Sequence, residues 1–459
     1  MNHCKSTSSH AWPLRRSEAA IMRQRALFRH GIAAFMVLSL AIVVATGCAK
    51  TAAQTPTPKP PANDASSEAS ASPEYDLVFA VAGDSRTAQT WMDPKKKPDY
   101  SKYIDTAALG ALRDDLISTW GGSPGFFFVH MGDIGIRGGK PVFDAFKKIM
   151  APMQSANIPM YLVKGNHEVR YYVPKPDGGG KGGAETFANA RKSQEQYQAA
   201  FKAPWLMPAG AKYPKGYEGL AYHFRRGSSA FIVMDSYFAS KADNVYKKGY
   251  YSDFQLKWLQ DTLIAYRKDT SVKNVFVMAH QPVFNAGKGD GTLYNKYDKN
   301  RKPSGASARS EWIMWALMDK YSVDAFFCGH SHFYHRWNVV GDQFAHTWNK
   351  SWKALGSEFD ASNIRSLVGK VRPWPTTIPQ VLNGTCGAPF EDLPSTSKVP
   401  AEAKAKKYNF SIVYVKDDVI TVEVYAYDVV GGKAKHYLID KFQKQDGQWQ
   451  NLPLTEETR

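Results

Sequence analysis

Cysteine is scarce in this chain, which has only four in 459 residues. Cys4 and Cys48 precede the predicted folded domain, so Cys328 and Cys386 remain there and can form at most one disulfide. We expect two buried thiols, because free cysteine packs as a small hydrophobic side chain. A Cys328–Cys386 disulfide is the alternative, since an exported protein can oxidise its cysteines.

A long apolar run is also missing. The apolar segment near the N-terminus covers about residues 31–45, which is shorter than the roughly 20 residues that a membrane-spanning helix needs. A basic region precedes it and small residues follow it, which is the pattern of a secretory signal. The small residues lead directly to Cys48 and resemble a bacterial lipobox, which implies cleavage there and a diacylglycerol on Cys48. An uncleaved signal anchor is the alternative.

Composition divides the chain into three predicted parts. Residues 1–48 form a lipoprotein signal peptide with its lipobox cysteine. Residues 49–74 form a disordered linker of Ala, Ser, Thr and Pro, which cannot bury enough apolar surface to become ordered. Residues 75–459 form one large domain. Because Ala49 follows the lipid-bearing cysteine, as in outer-membrane sorting patterns, we predict a lipid-anchored protein of the bacterial cell envelope that faces the periplasm, with the outer membrane favoured.

Acidic residues are outnumbered in this chain. It has 59 Lys and Arg against 42 Asp and Glu, which gives a net charge of +17. Such an excess can attract anionic substrates or hold the domain against an anionic lipid surface. A plain solvated surface is the alternative. Residues 95–97 are a short lysine run without a recognised nucleic-acid-binding fold around it, so we expect no nucleic-acid partner.

Five short polar motifs each follow an apolar run rich in β-branched and aromatic residues, and such runs are strand signals. Loops at strand ends of an α/β sheet can converge on one point, where functional sites gather. The motifs contain Asp84, Asp133, Asn166 with His167 and Glu168, His280, and His330 with His332. They predict a metal-dependent site. Further strand-like runs at residues 408–415 and 419–424 are expected to complete the sheet.

In order and spacing, the motifs resemble the calcineurin-like metallophosphoesterase superfamily over about residues 75–430. The purple acid phosphatase-like branch is the most similar part, through the His280-Gln281-Pro282 motif and the run from His332 to Arg336. The resemblance implies an α/β fold, a four-layer αββα sandwich with two central sheets flanked by helices. It also implies a metal-dependent phosphoesterase that hydrolyses phosphomonoesters or phosphodiesters with a metal-activated water.

The resemblance further implies two metal ions. Asp133 can bridge both, since a carboxylate has two oxygens. Neutral amide oxygen and imidazole nitrogen suit Fe, Mn or Zn better than calcium. The implied ligands are Asp84, Asp133 and His332 for the first ion, and Asp133, Asn166, His280 and His330 for the second.

His167 follows a ligand but is not itself a ligand in the family pattern. A titratable imidazole beside the metals could protonate the leaving alkoxide, and general acid catalysis of this kind is typically worth about 10²- to 10⁴-fold. We therefore predict that His167 is the catalytic acid. Glu168 is a candidate to orient it, with an ordinary surface carboxylate as the alternative.

The sequence departs from the family at the first metal site. Most members place a His two residues after the first Asp, whereas purple acid phosphatases place a Tyr three residues after the second. This chain has Arg86 and Ile136 there, and neither can donate a lone pair to a metal. Water or another residue could fill the place and give a weaker first site. Arg86 could instead clamp the substrate phosphate, or supply positive charge in place of the first metal.

The expected substrate is a small-molecule or lipid phosphoester, and the expected membrane partner is reached through the lipid on Cys48. The alternative is a non-catalytic or single-metal binding lipoprotein on the same fold, which the presence of Arg86 allows. The complete set of the other site residues argues against it, because a site without function has no physical need for all of them.

Overall fold

The computed structural model describes residues 74–88, 99–170, 186–239, 249–284, 305–340, 377–393 and 401–454. All of them belong to one compact unit, Ser70–Arg459. The predicted signal peptide with Cys48, and all of the predicted linker except its last residue, lie outside the described residues.

Strands dominate the described residues and form two sheets of seven strands each. In chain order they are β1 (Leu77–Ala82), β2 (Phe127–His130), β3 (Met160–Leu162), β4 (Tyr222–Arg226), β5 (Ser229–Met234), β6 (Asn274–Ala279), β7 (Ala325–Cys328), β8 (Tyr334–Val340), β9 (Thr377–Asn383), β10 (Ala403–Ala405), β11 (Tyr408–Lys416), β12 (Val419–Val430), β13 (Lys433–Gln445) and β14 (Gln448–Asn451). Strands β11 and β12 confirm the two late strand predictions.

The helices are fewer, and side-chain caps start several of them. They are α1 (Thr106–Trp120), α2 (Lys140–Ser155), α3 (Phe187–Ala200), α4 (Asp253–Lys268) and α5 (Gly305–Lys320), with short 3₁₀ turns at Tyr100–Tyr103 and His167–Val169. Asp105 accepts the Ala108 N–H at 3.0 Å and so caps α1. None of the helices within the described ranges is both long and apolar enough to cross a bilayer.

The first sheet has the order β14-β13-β12-β11-β1-β2-β3, and the second has the order β10-β8-β9-β7-β6-β5-β4. Strands β1, β2 and β3 run parallel in the first sheet, as do β5, β6, β7 and β9 in the second. The late strand β11 pairs antiparallel with β1, with Leu77 opposite Val415. The carboxyl ends of the parallel strands therefore lie at one edge of each sheet.

Aromatic side chains fill the space between the sheets. Phe79 and Phe127 of the first sheet stack with ring centroids 5.3 Å apart, and Phe79 meets Phe231 and Phe276 of the second sheet at 5.2 Å each. Alternate residues of β1, such as Ala80, face the other way and pack in a separate apolar cluster with α1 and α2. Since side chains alternate along a strand, this explains why all six residues of β1 are buried.

The outer faces of both sheets are covered by helices. Residues of α1, α2 and α3 pack on the first sheet, and residues of α4 and α5 pack on the second. The order of layers is helix, sheet, sheet, helix, which confirms the predicted α/β fold with its four-layer αββα sandwich. Cys328 and Cys386 are both buried and free, so the prediction of two thiols is confirmed.

Candidate metal centre

The predicted site residues meet where loops leave the carboxyl ends of parallel strands. Asp84 follows β1, Asp133 follows β2 and Asn166 follows β3 in the first sheet. His280 follows β6, and His330 follows β7, in the second sheet. The centre thus lies at the junction of the two sheets, and each sheet supplies part of the ligand set.

Backbone strain marks three of these residues. The φ angles of Asp84, Asp133 and His330 are 58°, 53° and 79°, in the left-handed region that non-glycine residues rarely adopt. Gly132, with a φ of 94°, lets the loops touch, because a Cβ there would lie 2.7 Å from the Gly165 nitrogen and 2.8 Å from Nδ1 of His280. Strain of this kind persists where the surrounding structure holds the backbone, and it often marks functional sites.

Four potential metal-ligand atoms face one another in the group predicted for the second metal. Nε2 of His280 lies 3.4 Å from Oδ1 of Asp133, 3.1 Å from Oδ1 of Asn166 and 3.3 Å from Nδ1 of His330. Oδ1 of Asn166 is also 3.1 Å from Nδ1 of His330. Ligands of a tetrahedral ion with bonds of roughly 2.05 Å would lie about 3.3 Å apart. The spacing of these four residues therefore fits one metal ion.

The protonation of the histidines also fits a cation. Nδ1 of His280 donates to the Met131 carbonyl at 2.7 Å, which turns the Nε2 lone pair toward the group. Burial, with a contribution from His280, lowers the pKa of His330 to about 3, so this ring is a neutral ligand at ordinary pH. Rotating the Asn166 amide would direct its NH₂ to both histidines and its oxygen to Arg170. The oxygen-inward amide is the orientation in which Asn166 could bind a cation together with the two histidines.

The group predicted for the first metal contains a different cation. Ligand atoms of Asp84, Asp133 and His332 lie within 4.8 Å of one another. However, Nη2 of Arg86 donates to Nε2 of His332 at 3.2 Å, and Nε of Arg86 lies 3.8 Å from Oδ2 of Asp133. A guanidinium therefore lies among the three predicted ligands.

The two buried aspartates differ in their electrostatics. Burial and the nearby charge of Asp133 raise the pKa of Asp84 well above its usual range. Burial acts on Asp133 in the same direction, but His167, His280 and Arg86 outweigh it and lower the pKa of Asp133. The carboxylate shared by both ligand groups is therefore the one that its surroundings keep charged.

His167 lies beside the ligands with both ring nitrogens engaged. Nδ1 donates to the Ile136 carbonyl at 2.8 Å, and Nε2 accepts from Nη1 of Arg170 at 2.9 Å. Nε2 is also 3.6 Å from Oδ2 of Asp133. Burial lowers the pKa of His167 well below its usual value, and the charges of Arg170 and Arg86 add to this against the pull of Asp133. Ile136 thus orients His167 through its backbone carbonyl.

Glu168 is buried and fixes backbone rather than the His167 ring. Its carboxylate accepts N–H groups from Asp133 at 2.9 Å, Ile134 at 2.8 Å and Gly165 at 2.6 Å. It therefore ties the loop after β2 to the loop after β3. Neither of the expectations for Glu168, an orienting partner of His167 or a surface carboxylate, describes this role.

Two further parts complete the site, and only the first of them, Arg170, was absent from the sequence-based candidates. Arg170 follows the 3₁₀ turn that carries His167. The position of this arginine, so close in sequence to the ligand motif, was the signal that could have identified it as a site residue. The segment of residues 383–389 contacts two ligand loops, since Pro389 accepts from Nδ1 of His332 at 2.7 Å and the Ala388 N–H donates to the Asp84 carbonyl at 2.8 Å. Its glycine-rich sequence indicated proximity to the site, but not these partners.

Comparisons of sequence agree with this geometry. A family model for calcineurin-like phosphoesterases matches residues 98–334, which is somewhat more than half of the chain. Two uncharacterised proteins, each from a strain of Mycobacterium tuberculosis, are 28% identical over 282 residues, which covers 58% of this chain and 48% of each relative. The chain therefore spans about half the length of the curated relatives that it matches.

Solved structures that align with this chain include a purple acid phosphatase and PhoD. A purple acid phosphatase from yellow lupin (Lupinus luteus) seeds aligns with a TM-score of 0.49 at 15% identity, covering 81% of this chain and 54% of that one. The structure of PhoD aligns with a TM-score of 0.47 at 11% identity, covering 84% of this chain and 73% of that one.

Proposed function

This chain belongs to the calcineurin-like phosphoesterase family, and from that premise we propose that it hydrolyses phosphomonoesters or phosphodiesters with the help of bound metal. The observation that carries the proposal is the group of Asp133, Asn166, His280 and His330. These side chains are largely buried, and their facing donor atoms lie 3.1 to 3.4 Å apart. A bound cation would stabilise such a group, because it attracts the lone pairs of all four side chains.

A divalent ion held by these four residues would supply Lewis acidity to a phosphoryl oxygen and make water a better nucleophile at neutral pH. Imidazole nitrogen combined with amide and carboxylate oxygen suits Fe, Mn or Zn. The hydrogen bond from His280 to the Met131 carbonyl holds the ring in the orientation that presents Nε2. A bond of this kind fixes the tautomer of a ligating histidine.

Positive side chains at the same place suit an anionic substrate. Arg86 approaches the group from the loop after β1, and Arg170 approaches from the end of the 3₁₀ turn. A guanidinium presents N–H donors in a planar fork that matches the oxygens of a phosphate. We assign both residues to binding of the phosphoryl group, which keeps the predicted role of Arg86 as a substrate-binding residue.

His167 is the proposed general acid. Its Nδ1–H is held by the Ile136 carbonyl, so the transferable proton would be on Nε2, the nitrogen that now accepts from Arg170. The negative charge of Asp133 favours the protonated ring, whereas burial and the two arginines oppose it. A leaving oxygen in the place of Arg170 would receive that proton directly.

The test is hydrolysis of an aryl phosphomonoester and an aryl phosphodiester by the full chain after loading with Mn²⁺, Fe²⁺ or Zn²⁺. We expect turnover of at least one ester, and a loss of about 10²-fold or more in Asp133→Asn, because bound metal contributes several kcal/mol to catalysis. Asp428→Asn, which changes an exposed aspartate paired with Lys407, is the matched control. Absence of hydrolysis with all three metals would overturn the proposal.

We also propose that the protein is held in the bacterial cell envelope, facing the periplasm, by a lipid on Cys48. The support is the sequence around Cys48 alone. Labelled palmitate should enter the parent protein in cells and should not enter Cys48→Ala. Labelling of Cys48→Ala to the parent level would exclude this attachment site.

A further inference from the structure

We propose that Arg86 occupies the place of the first metal, so that this chain binds a single metal ion through Asp133, Asn166, His280 and His330. The guanidinium then serves as the second, permanent cation of the centre. The inference rests on the metal-binding part of the proposed function and is independent of phosphoester hydrolysis.

The first argument is competition for one lone pair. His332 donates from Nδ1 to the Pro389 carbonyl at 2.7 Å, so its acceptor nitrogen is Nε2. Arg86 donates from Nη2 to that nitrogen at 3.2 Å. A neutral imidazole has one lone pair in the ring plane. His332 can therefore accept from Arg86 or bind a metal, but it cannot do both.

The second argument is charge. The carboxylates of Asp84 and Asp133 are almost fully buried, and Nε of Arg86 lies 3.8 Å from Oδ2 of Asp133. A metal bound to Nε2 of His332 at about 2.1 Å would lie within roughly 5 Å of the guanidinium nitrogen that now donates there. Two cations this close in a buried site repel strongly. The guanidinium already supplies a positive charge beside Asp133, the carboxylate shared by both ligand groups.

The third argument is that the backbone aims Arg86 at the centre. Arg86 forms an isolated antiparallel bridge with Ile104. On its two sides, the Ser85 carbonyl accepts from the Asp105 N–H at 2.8 Å, and the Thr87 N–H donates to the Tyr103 carbonyl at 3.1 Å. The side chain of Arg86 is only 17% exposed. This segment is therefore held in a position from which the guanidinium reaches the ligand group.

The fourth argument is the number of ligands. The group around His280 offers four protein donors, whereas the group around His332 offers three. Two neighbouring residues add no ligand atom to the group around His332. Arg86 brings a guanidinium to it, and the Ile136 backbone carbonyl accepts from His167.

The test counts metal ions, and its result does not depend on turnover. The full chain is loaded with Mn²⁺ and dialysed, manganese is measured by elemental mass spectrometry, and the electron paramagnetic resonance spectrum is recorded. We expect one manganese per chain and the resolved hyperfine pattern of an isolated ion. Arg86→His should bind two, with the exchange-coupled spectrum of ions about 3.5 to 4 Å apart.

Two variants complete the design. Arg225→His makes the same change in an arginine on β4 that pairs with Asp269 at the surface, and it should bind one manganese. Asp84→Asn is nearly isosteric and should also keep one manganese, because Asp84 is not among the four proposed ligands and its amide oxygen can still accept the His330 N–H that Oδ2 accepts at 2.9 Å. It therefore tests the inference even if Arg86→His fails to fold.

Two manganese ions in the parent, an exchange-coupled parent spectrum, or the loss of one ion in Asp84→Asn would overturn the inference. One manganese without ester hydrolysis would support the role of Arg86 and remove the phosphoesterase proposal. Two manganese ions together with ester hydrolysis would support the phosphoesterase proposal and overturn the proposed role of Arg86.

Discussion

The Glu168 carboxylate accepts the backbone N–H of Asp133 at 2.9 Å. The same carboxylate accepts from Ile134 and Gly165, so it sets the distance between the loop that carries Asp133 and the loop that carries Asn166. The metal centre thus depends on a residue that is not a ligand. Outer residues of this kind are typically worth about 10- to 100-fold in metal affinity.

Glu168→Gln should weaken metal binding by about 10- to 100-fold and lower the free energy of unfolding by about 1 to 3 kcal/mol, because one amide oxygen cannot satisfy three buried N–H donors. Metal titration and urea unfolding measure the two effects. Glu195→Gln, in an exposed pair with Arg191 on α3, is the control. Equal metal affinity in parent and Glu168→Gln would contradict this role.

Gly165→Ala should abolish metal binding at the centre. A Cβ at Gly165 would collide with Oδ1 of Asp133 and lie 2.5 Å from its backbone nitrogen, so the two ligand loops would have to separate. Gly122→Ala is the matched control, since nothing lies within 4 Å of a Cβ there. Binding of metal is measured by elemental analysis after dialysis. Retention of metal by Gly165→Ala would show that the loops can separate without losing the site.

His167→Asn should reduce kcat for an alkyl phosphoester by about 10²- to 10⁴-fold, the usual range for loss of a general acid. The reduction should be much smaller for a nitrophenyl ester, because that leaving group departs without a proton. The two kcat values are measured side by side, with His436→Asn on β13 as control. Equal losses for the two esters would mean that His167 acts through the ligands and not as an acid.

Asp235→Asn should lower the free energy of unfolding by about 3 to 5 kcal/mol, the usual cost of removing one partner of a buried ion pair. Nζ of Lys164, after β3, lies 3.0 Å from Oδ2 of Asp235, after β5, and both side chains are fully buried. The pair joins the two sheets next to the ligand loops.

Urea unfolding of Asp235→Asn is compared with that of Asp417→Asn. Asp417 pairs with Lys273 at 2.7 Å on the surface, where water screens the charges, so its variant should unfold almost as the parent does. If the two variants had the same free energy of unfolding, the buried pair of Lys164 and Asp235 would not stabilise the contact between the sheets.

Much of the fold was predictable because strand signals and polar motifs alternate in this sequence. The apolar runs before Asp84, Asp133 and His280 all form buried strands, and each ligand follows its strand. Convergence of these loops follows from the parallel arrangement, which the resemblance to relatives supplied. The two sheets and the helices that pack on them could therefore be predicted from the sequence.

The behaviour of Arg86 and Glu168 was not predictable in the same way. A long arginine side chain can reach several partners that are distant in sequence. The hydrogen bond from Arg86 to His332 depends on the backbone bridge with Ile104 and on the ring orientation set by Pro389. Glu168 contacts backbone of residues far from it in the chain. Such contacts carry no side-chain pattern that a single sequence could display.

The pairing of β1 with β11 has a consequence for synthesis. Strand β1 lies between β2 and β11 in the first sheet, yet its partner Val415 lies far along the chain from Leu77. Until β11 has left the ribosome, β1 has an open edge that can pair with other chains. Pairing across such a separation is also slow. The nascent chain must therefore be protected from aggregation until β11 emerges, and a chain truncated before β11 would lose the neighbour that supports the strand before Asp84.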